Sequence, residues 1–519
     1  MVKRRVLLVY PLTRRDYWDS PERYYFPMPL GILHLGSVLE AEGYEVRLVD
    51  CTAQRNFEEI IRKEVEDEGL SFVGLSVMTV QIPSALDISR MVKGIRSDLP
   101  VVWGGIHPTL FPEQTLQAPE VDIVCVGEGE RTVVELVEAL RSGKELDQVR
   151  GIGFKKDGGF FFTPKREPTD LKTLPLLRYD LLDVNEYIFH SLPFSRQKVK
   201  VISIHSGRGC PYRCSFCINS HPLFRHYRQI PGERLLAQIE GVMRRYEPDV
   251  IYFQDDNFLA DRKRTLFLFD ALKAKGMEFK WYAVTRANYL SDNYLPIAFW
   301  EKYGPNCVGL GIGVESGSER VRNEVLRKEL SNEDIEEAVA LCARLNIPIG
   351  ASFMVGIPHE TIAERLETLR YIDKLRKINP TLSCNIHYFQ PYPGCPLFEE
   401  AKRLGFKPPV SLKQWEQMLD RARSWYEWYI PIEELPWIER PAMVKYFLWS
   451  IPFATSVKGG IISYVMRKIA SASLFIRRKI GLWRFFVELL FWQVLRRTWR
   501  FVRHLRRLSP KRSGEMRGI

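Results

Sequence analysis

Three cysteines crowd one short stretch of this chain, and no fourth lies near them. They are Cys210, Cys214 and Cys217, within Gly207-Arg-Gly-Cys-Pro-Tyr-Arg-Cys-Ser-Phe-Cys217, a C-x3-C-x2-C spacing. A structural zinc site wants four ligands in a closed tetrahedron, so the missing fourth argues against zinc. The other six cysteines, Cys51, Cys125, Cys307, Cys342, Cys384 and Cys395, are scattered. That scatter argues against a disulfide framework and implies a reducing cytoplasm. No low-complexity run interrupts a composition that is 45% hydrophobic over 519 residues, enough for two or three domains. Near the N-terminus the apolar run Val6 to Tyr10 is too short for a signal segment and stops at Pro11, so it reads as a first β-strand. In the tail, Leu482 to Leu495 is 14 residues of mostly apolar sequence. A bilayer-spanning helix needs ~20.

What is present falls into four parts. Residues 1–145 alternate strand and helix signals. Apolar runs at Val6–Tyr10, Val46–Asp50, Phe72–Val77, Val101–Trp103 and Ile123–Val126 read as buried parallel strands. Alternation of this kind predicts a doubly wound, Rossmann-like sheet with its binding site at the carboxyl strand ends. Those ends carry Ser76-Val-Met78, Gly104-Gly105 and Gly127-Glu128-Gly-Glu130. Glycine lets backbone approach a ligand, and helix N-termini favour phosphate, so a nucleotide or phosphate-bearing cofactor suits the site. A tight strand-to-helix turn would use the same glycines. Residues 146–199 hold a hairpin signal around Asp157-Gly-Gly159, then a Pro- and Leu-rich stretch over 164–183 that reads as an extended surface linker.

Residues 200–400 deliver the cysteine loop from a strand and then repeat strand and helix. Polar residues stand at each strand end: Gln254-Asp255-Asp256, Thr285-Arg286, Glu315-Ser-Gly317, Glu360-Thr361 and Gln390-Pro-Tyr-Pro-Gly394. Six such strands predict a partial (β/α)6 barrel with its active site at the carboxyl face. The fold class is therefore α/β in two domains, followed by a helical region over 401–519. Asp256 and Glu315 have a structural ion pair or helix cap as their competing role. Cys395 is expected to pack, and Gly309 to Gly313 to leave adenosine room against bare backbone.

With Phe216 just before the third cysteine, Gly207 to Cys217 resembles the cluster motif of the radical S-adenosylmethionine (SAM) enzymes. Three thiolates suit a [4Fe–4S] cluster that keeps one iron open. The resemblance implies that SAM chelates that iron and that one electron cleaves it to a 5′-deoxyadenosyl radical. It also implies roles for other residues. Gln254, Asp255 and Asp256 accept from SAM's amine, Arg286 meets its carboxylate, and Glu315 takes its ribose hydroxyls. The first domain resembles the cobalamin-binding domain that precedes many radical SAM domains. Ser76 and Met78 stand where that family has Ser-x-Leu, and Gly104 and Gly105 match its glycine pair, lining the slot for the nucleotide tail. Gly127 and Glu128 border the same cofactor in this reading. The family's Asp-x-His-x-x-Gly is absent. The lower face of cobalt is thus left open, or facing a residue such as Tyr10 or Leu12.

Over residues 1–400 the resemblance implies a cobalamin-dependent radical SAM enzyme acting on an unactivated carbon. C-methylation is the expected reaction, with ring formation or carbon–carbon coupling as the alternative. The electron comes from an external donor of flavodoxin or ferredoxin type. RNA-modifying methylthiotransferases are remoter relatives, which carry a second cluster on three N-terminal cysteines; only Cys51 and Cys125 precede the motif here.

The net charge of +12 belongs to the tail: from Trp437 onward 18 Lys and Arg face three acidic residues. Trp415, Trp425, Tyr426, Trp428, Tyr429 and Trp437 are expected to cap the barrel mouth or to pack between domains. Trp499, Phe501 and Leu505 among Arg496, Arg497, Arg500 and Arg503 describe a helix lying in a membrane interface. The expectation is a cytoplasmic protein, peripheral on the inner face of the membrane, with a lipid- or tetrapyrrole-type substrate rather than nucleic acid. Docking of the tail on the enzyme's own barrel is the alternative.

Overall fold

The computed structural model describes residues 5–15, 17–18, 27–189, 199–421, 430–455 and 461–480. Strands form where the apolar runs lie. β1 (Arg5–Tyr10), β2 (Glu45–Asp50), β3 (Leu70–Ser76), β4 (Val101–Gly104) and β5 (Ile123–Cys125) pair in parallel, in the order β2-β1-β3-β4-β5. Val6, Leu7 and Val9 are wholly buried, because helices cover both faces of the sheet. α1 (Leu30–Ala41) packs with α6 (Glu130–Ser142), and α2 (Phe57–Val65) with α3 (Ile82–Ile95). Short α4 (Ile106–Leu110) and α5 (Pro112–Leu116) fill the crossover from β4 to β5. Strand order reverses between β1 and β3, which opens the ligand crevice at their carboxyl ends.

The hairpin forms as expected and joins the same sheet. β6 (Ile152–Lys156) and β7 (Gly159–Phe162) add antiparallel beyond β5, making seven strands. The following stretch departs from the expected surface linker. Leu171, Leu174, Tyr179 and Leu182 are buried. Arg178 N donates to Ser37 Oγ on α1, and Tyr179 OH to Ser203 O of the second sheet. Its leucines and Tyr179 fill the seam between the two sheets, which a surface linker would leave to water.

In the second sheet, β9 (Val199–Ile204), β12 (Val250–Phe253), β13 (Lys280–Thr285), β14 (Cys307–Glu315), β15 (Ile349–Val355) and β16 (Ser383–Tyr388) run parallel in chain order. β8 (Ile188–Phe189) pairs antiparallel at the β9 edge, and β10 (Gly207–Arg208) with β11 (Arg228–Gln229) makes a small ribbon beside the cysteine loop. Helices α7 (Gly232–Tyr246), α8 (Arg262–Ala274), α9 (Ile297–Tyr303), α10 (Asn332–Arg344) and α11 (Ile362–Ile378) lie between the strands. This is the six-stranded open barrel, with its site at the carboxyl ends.

α12 (Pro396–Arg403) follows β16, and α13 (Leu412–Arg421) leaves the barrel to pack on α3. Trp415 Nε1 donates to Gln114 Oε1 at 2.8 Å, so this tryptophan packs between domains. Trp437 Nε1 donates to Gly356 O. Trp425, Tyr426, Trp428, Tyr429 and the arginine-rich stretch from Leu482 onward lie outside the described residues. α14 (Pro441–Thr455) covers the β16 edge with buried Met443, Phe447 and Trp449, and α15 (Ile461–Ile480) packs on α14. Among the described residues no helix is long and apolar enough to cross a membrane.

Candidate active site

From β9 the chain turns through Ser206 into the cysteine loop. Gly209 takes φ +75°, and a Cβ there would stand 2.6 Å from the His226 carbonyl oxygen. Only glycine lets the loop run this close to its neighbour. Ser215 clamps the loop from outside: its N and Oγ donate to Leu326 O at 2.9 Å and Val325 O at 2.6 Å, and its O accepts Leu397 N at 2.9 Å. The thiols of Cys210, Cys214 and Cys217 lie within electrostatic reach of one another, and Asp256 within reach of Cys210 and Cys217. Burial pushes Cys217 up to about 12 and raises Cys210. Thiols so placed ionise only against compensating positive charge, which the irons of a cluster supply. Among the described residues no three His, Cys, Asp or Glu side chains are grouped to hold a single ion.

Arg286, after β13, lies against this cradle. Its guanidinium stacks 3.5 Å from the Tyr212 ring centre, and one Nη approaches Cys214 Sγ at 3.8 Å. Its other donors go to Asn288 Oδ1 and to the carbonyls of Lys328 and Glu329. Arg286 therefore positions the loop as well as offering charge, a double use that its place after a strand did not signal.

Glu315 is buried in a left-handed conformation, φ +68°, and its Oε1 accepts from Lys328 Nζ at 2.8 Å. A Cβ on Gly313 would fall 2.2 Å from that oxygen. This glycine thus houses the Glu315–Lys328 pair, where bare backbone for adenosine was expected. Lys328 also stands 5.6 Å from the Phe216 ring centre. It escaped the sequence reading because it follows a π-turn, Val321–Val325, between the left-handed residues Arg327 and Glu329. A lysine in a charged loop carries no signal of its own.

The residues after β12 divide in role. Both carboxylate oxygens of Asp255 accept from Ser206 N, at 3.0 and 3.2 Å, while Arg264 donates to Ser206 O at 2.6 Å. Burial pushes Asp255 up to about 6. Asp255 anchors the start of the cysteine loop. Asp256 is open to the barrel mouth beside Cys210 and Cys217. Gln254 Oε1 is a buried acceptor with no partner among the described residues, as a site for a ligand ammonium requires. Cys395 is buried and its S–H donates to Tyr392 O at 3.1 Å, in keeping with packing.

In the first domain a cavity of about 200 Å³ lies between the sheet and helices α1 and α6. Ser76, Gly104, Gly105, Gly127 and Glu128 all border it, among apolar neighbours such as Leu8, Phe72 and Val102. Gly105 takes φ +97°, and a Cβ there would meet Val77 N at 2.8 Å. An apolar slot walled by glycine backbone fits the flat base of a cobalamin nucleotide tail. Tyr10 and Leu12 do not border it. Glu128 is less free than expected. It accepts Thr169 N at 2.6 Å and pairs with Arg228 and, at 3.4 Å, with Arg208. Against burial, which would raise it, Arg228 and Arg208 hold the Glu128 carboxyl below its usual range. Arg208 also pairs with Glu130 at 2.5 Å. It stands two residues before Cys210, so the cavity wall and the cysteine loop share one ionic cluster.

Comparison with known proteins follows the same division. Residues 22–137 match the B12 binding domain and residues 204–372 the radical SAM superfamily. An uncharacterized methyltransferase of Pyrococcus horikoshii is 30% identical over 380 residues, 72% of this chain and 78% of that protein. The anaerobic magnesium-protoporphyrin IX monomethyl ester cyclase of Rubrivivax gelatinosus is 25% identical over 378 residues, 72% of this chain and 66% of that protein. Among solved structures, the radical SAM methyltransferase TsrM of Kitasatospora setae, with cobalamin and a [4Fe–4S] cluster bound, superposes with a TM-score of 0.62. It is 18% identical, and the match covers 91% of this chain and all of that one, a likeness of fold. From the cysteine loop, the glycine-walled cavity and these matches together, the chain belongs to the radical SAM enzymes that carry a cobalamin-binding domain.

Proposed function

We propose that this enzyme methylates an unactivated carbon of an apolar substrate. When bound, a [4Fe–4S] cluster supplies the electron that cleaves SAM, and cobalamin supplies the methyl group. The observation that carries this reading is the ionic cluster of Glu128, Glu130, Arg208 and Arg228, which fastens the cofactor cavity to the loop bearing Cys210. A methyl donor and a radical source need to be held at one junction. Cys210, Cys214 and Cys217 grip the cluster. Gln254 and Asp256 offer acceptors to SAM's amine, Arg286 sets positive charge by its carboxylate, and Glu315, oriented by Lys328, faces its ribose. Ser76, Gly104, Gly105 and Gly127 shape the cobalamin slot. An external flavodoxin- or ferredoxin-type protein supplies the electron.

Likeness to a methyltransferase supports methylation, whereas likeness to a cyclase supports a second reading, ring closure on the same scaffold. Anaerobic turnover separates them. Methylation yields both S-adenosylhomocysteine and 5′-deoxyadenosine, and ring closure only the second. Turnover without S-adenosylhomocysteine sinks the methylation reading.

An apolar substrate implies work at a membrane surface, and α15 supports this. It carries no acidic residue, and Ile469, Phe475 and Ile476 are 36, 59 and 53% exposed, beside exposed Lys468. Apolar and basic residues together suit anionic lipid. In the full chain, Phe475→Glu with Ile476→Glu should weaken binding to phosphatidylglycerol vesicles by about tenfold or more, since burying the exposed half of two such side chains is worth roughly 1.5 kcal/mol or more. SAM cleavage should be unchanged. Vesicle binding equal to wild type would remove α15 from the membrane contact.

A further inference from the structure

Two histidines in the wall of the first-domain cavity have no part in the roles above. His34 comes from α1, and His205 directly follows β9 on the way to the cysteine loop. Their rings stack at 14° with centres 6.1 Å apart, and both border the cavity. One nitrogen of each ring, Nε2 of His34 and Nδ1 of His205, is buried without a hydrogen-bond partner among the described residues. Burial, reinforced by the nearby Arg208, lowers both rings, His205 to about 3, so each is neutral. His205 gives its one N–H to the Gln254 backbone, which leaves its Nδ1 an acceptor, whereas the Nε2 of His34 can carry an N–H to donate. Native proteins leave few buried polar atoms unpaired, and two in one stacked pair at a cavity wall point to a ligand.

The lining of the cavity says what enters it. Glycine backbone and apolar side chains between the sheet and two helices make a slot suited to one flat aromatic base. On the reading that this domain binds cobalamin, the base of the nucleotide tail is the part that fits. A benzimidazole base inside the protein no longer gives its unsubstituted ring nitrogen to cobalt. That nitrogen becomes a buried acceptor among Leu8, Ile32, Phe72 and Val102, whose side chains have nothing to donate. We infer that His34, held by its stack on His205, reads the lower base of the cobamide, donating a hydrogen bond from Nε2 to its free ring nitrogen and so selecting nitrogen-bearing bases over phenolic ones. Ser76 is the rival donor in the same wall.

The test compares cobalamin with p-cresolylcobamide, whose phenolic base lacks the nitrogen. Affinities are measured by equilibrium dialysis on the full-length wild type and on the His34→Phe/His205→Phe protein. The energy each free cobamide spends in releasing its base cancels when the ratio of affinities is compared between proteins. The wild-type ratio, cobalamin over p-cresolylcobamide, should exceed that of the variant by about tenfold, the scale of one unmade buried hydrogen bond. His34→Gln/His205→Gln keeps N–H donors and should retain most of the preference; it also serves where the phenylalanine pair fails to fold. A ratio unmoved by the phenylalanine pair overturns the proposal. So does loss of the whole preference in Ser76→Ala with both histidines intact, which would assign the reading to Ser76. A wild type that binds neither cobamide rejects the cobalamin reading itself, a result distinct from binding both without discrimination. Iron content of each variant, set by the cysteine loop, reports that the chain is folded.

Discussion

An alanine at position 214 is expected to strip the anaerobically reconstituted protein of its iron, from about four atoms per chain to below about one, and to abolish SAM cleavage. Three thiolates are the minimum that holds a cubane while leaving one iron open, and two do not. No scattered cysteine is well placed to replace the lost one. Cys307, Cys342 and Cys384 are buried core thiols. Cys395 is the nearest in connection, since Leu397 of its helix donates to Ser215 of the loop. Its sulfur is engaged with Tyr392 O, however, and burial pushes it up to about 11. Loss of fold is not the cause: Cys214 is small, and removing its sulfur costs roughly 1 kcal/mol. Arg286 loses one sulfur contact but keeps its carbonyl partners and its stack on Tyr212. Far-ultraviolet circular dichroism should therefore match wild type while iron and the visible absorption of the cluster vanish. Retention of about four irons would overturn the cluster assignment.

Most of the fold was legible because the physics behind it is local. Runs such as Val6–Tyr10 and Ile123–Cys125 are too apolar to face water on either side, and glycines or polar residues punctuate them, so the strands and the positions of their ends followed. The cysteine spacing was legible because three ligands of one cluster must come from one short loop. What escaped was contact between parts distant in sequence. Arg208 and Arg228 are ordinary surface-type residues until the fold brings Glu128 and Glu130 to them. Glu128 was accordingly read as a cofactor residue alone. Lys328 escaped because its pairing with Glu315 depends on a π-turn that no periodicity announces. The burial of Leu171 and Leu174 was missed for another reason: prolines and charges around them outweighed the leucines in a reading by composition.

Replacing Arg208 by methionine tests whether the junction between the domains does more than hold them together. The side chain keeps its apolar length and loses its charge. Glu130, whose side chain is 5% exposed, is then left without its ion-pair partner, while Glu128 keeps Arg228. Removing one member of a buried pair costs roughly 3 kcal/mol, because the remaining charge stays desolvated. A fall in thermal midpoint on the order of 5 °C or more follows. Adding Glu130→Gln should recover much of that loss, since it removes the stranded charge, and the double-mutant cycle isolates the pair. Stability alone would be the result for any structural ion pair. The functional claim is more specific. Arg208 is fixed by backbone pairing to β11 and stands two residues before Cys210, while Glu130 opens α6, the helix that walls the cofactor cavity. Arg208→Met should therefore weaken cobalamin binding by about tenfold and leave iron content intact, and Arg208→Met/Glu130→Gln should regain stability without regaining cobalamin affinity. If the single variant loses stability but binds cobalamin as wild type does, the ionic cluster is a fastening only. The proximity of radical source and methyl donor would then need another physical basis.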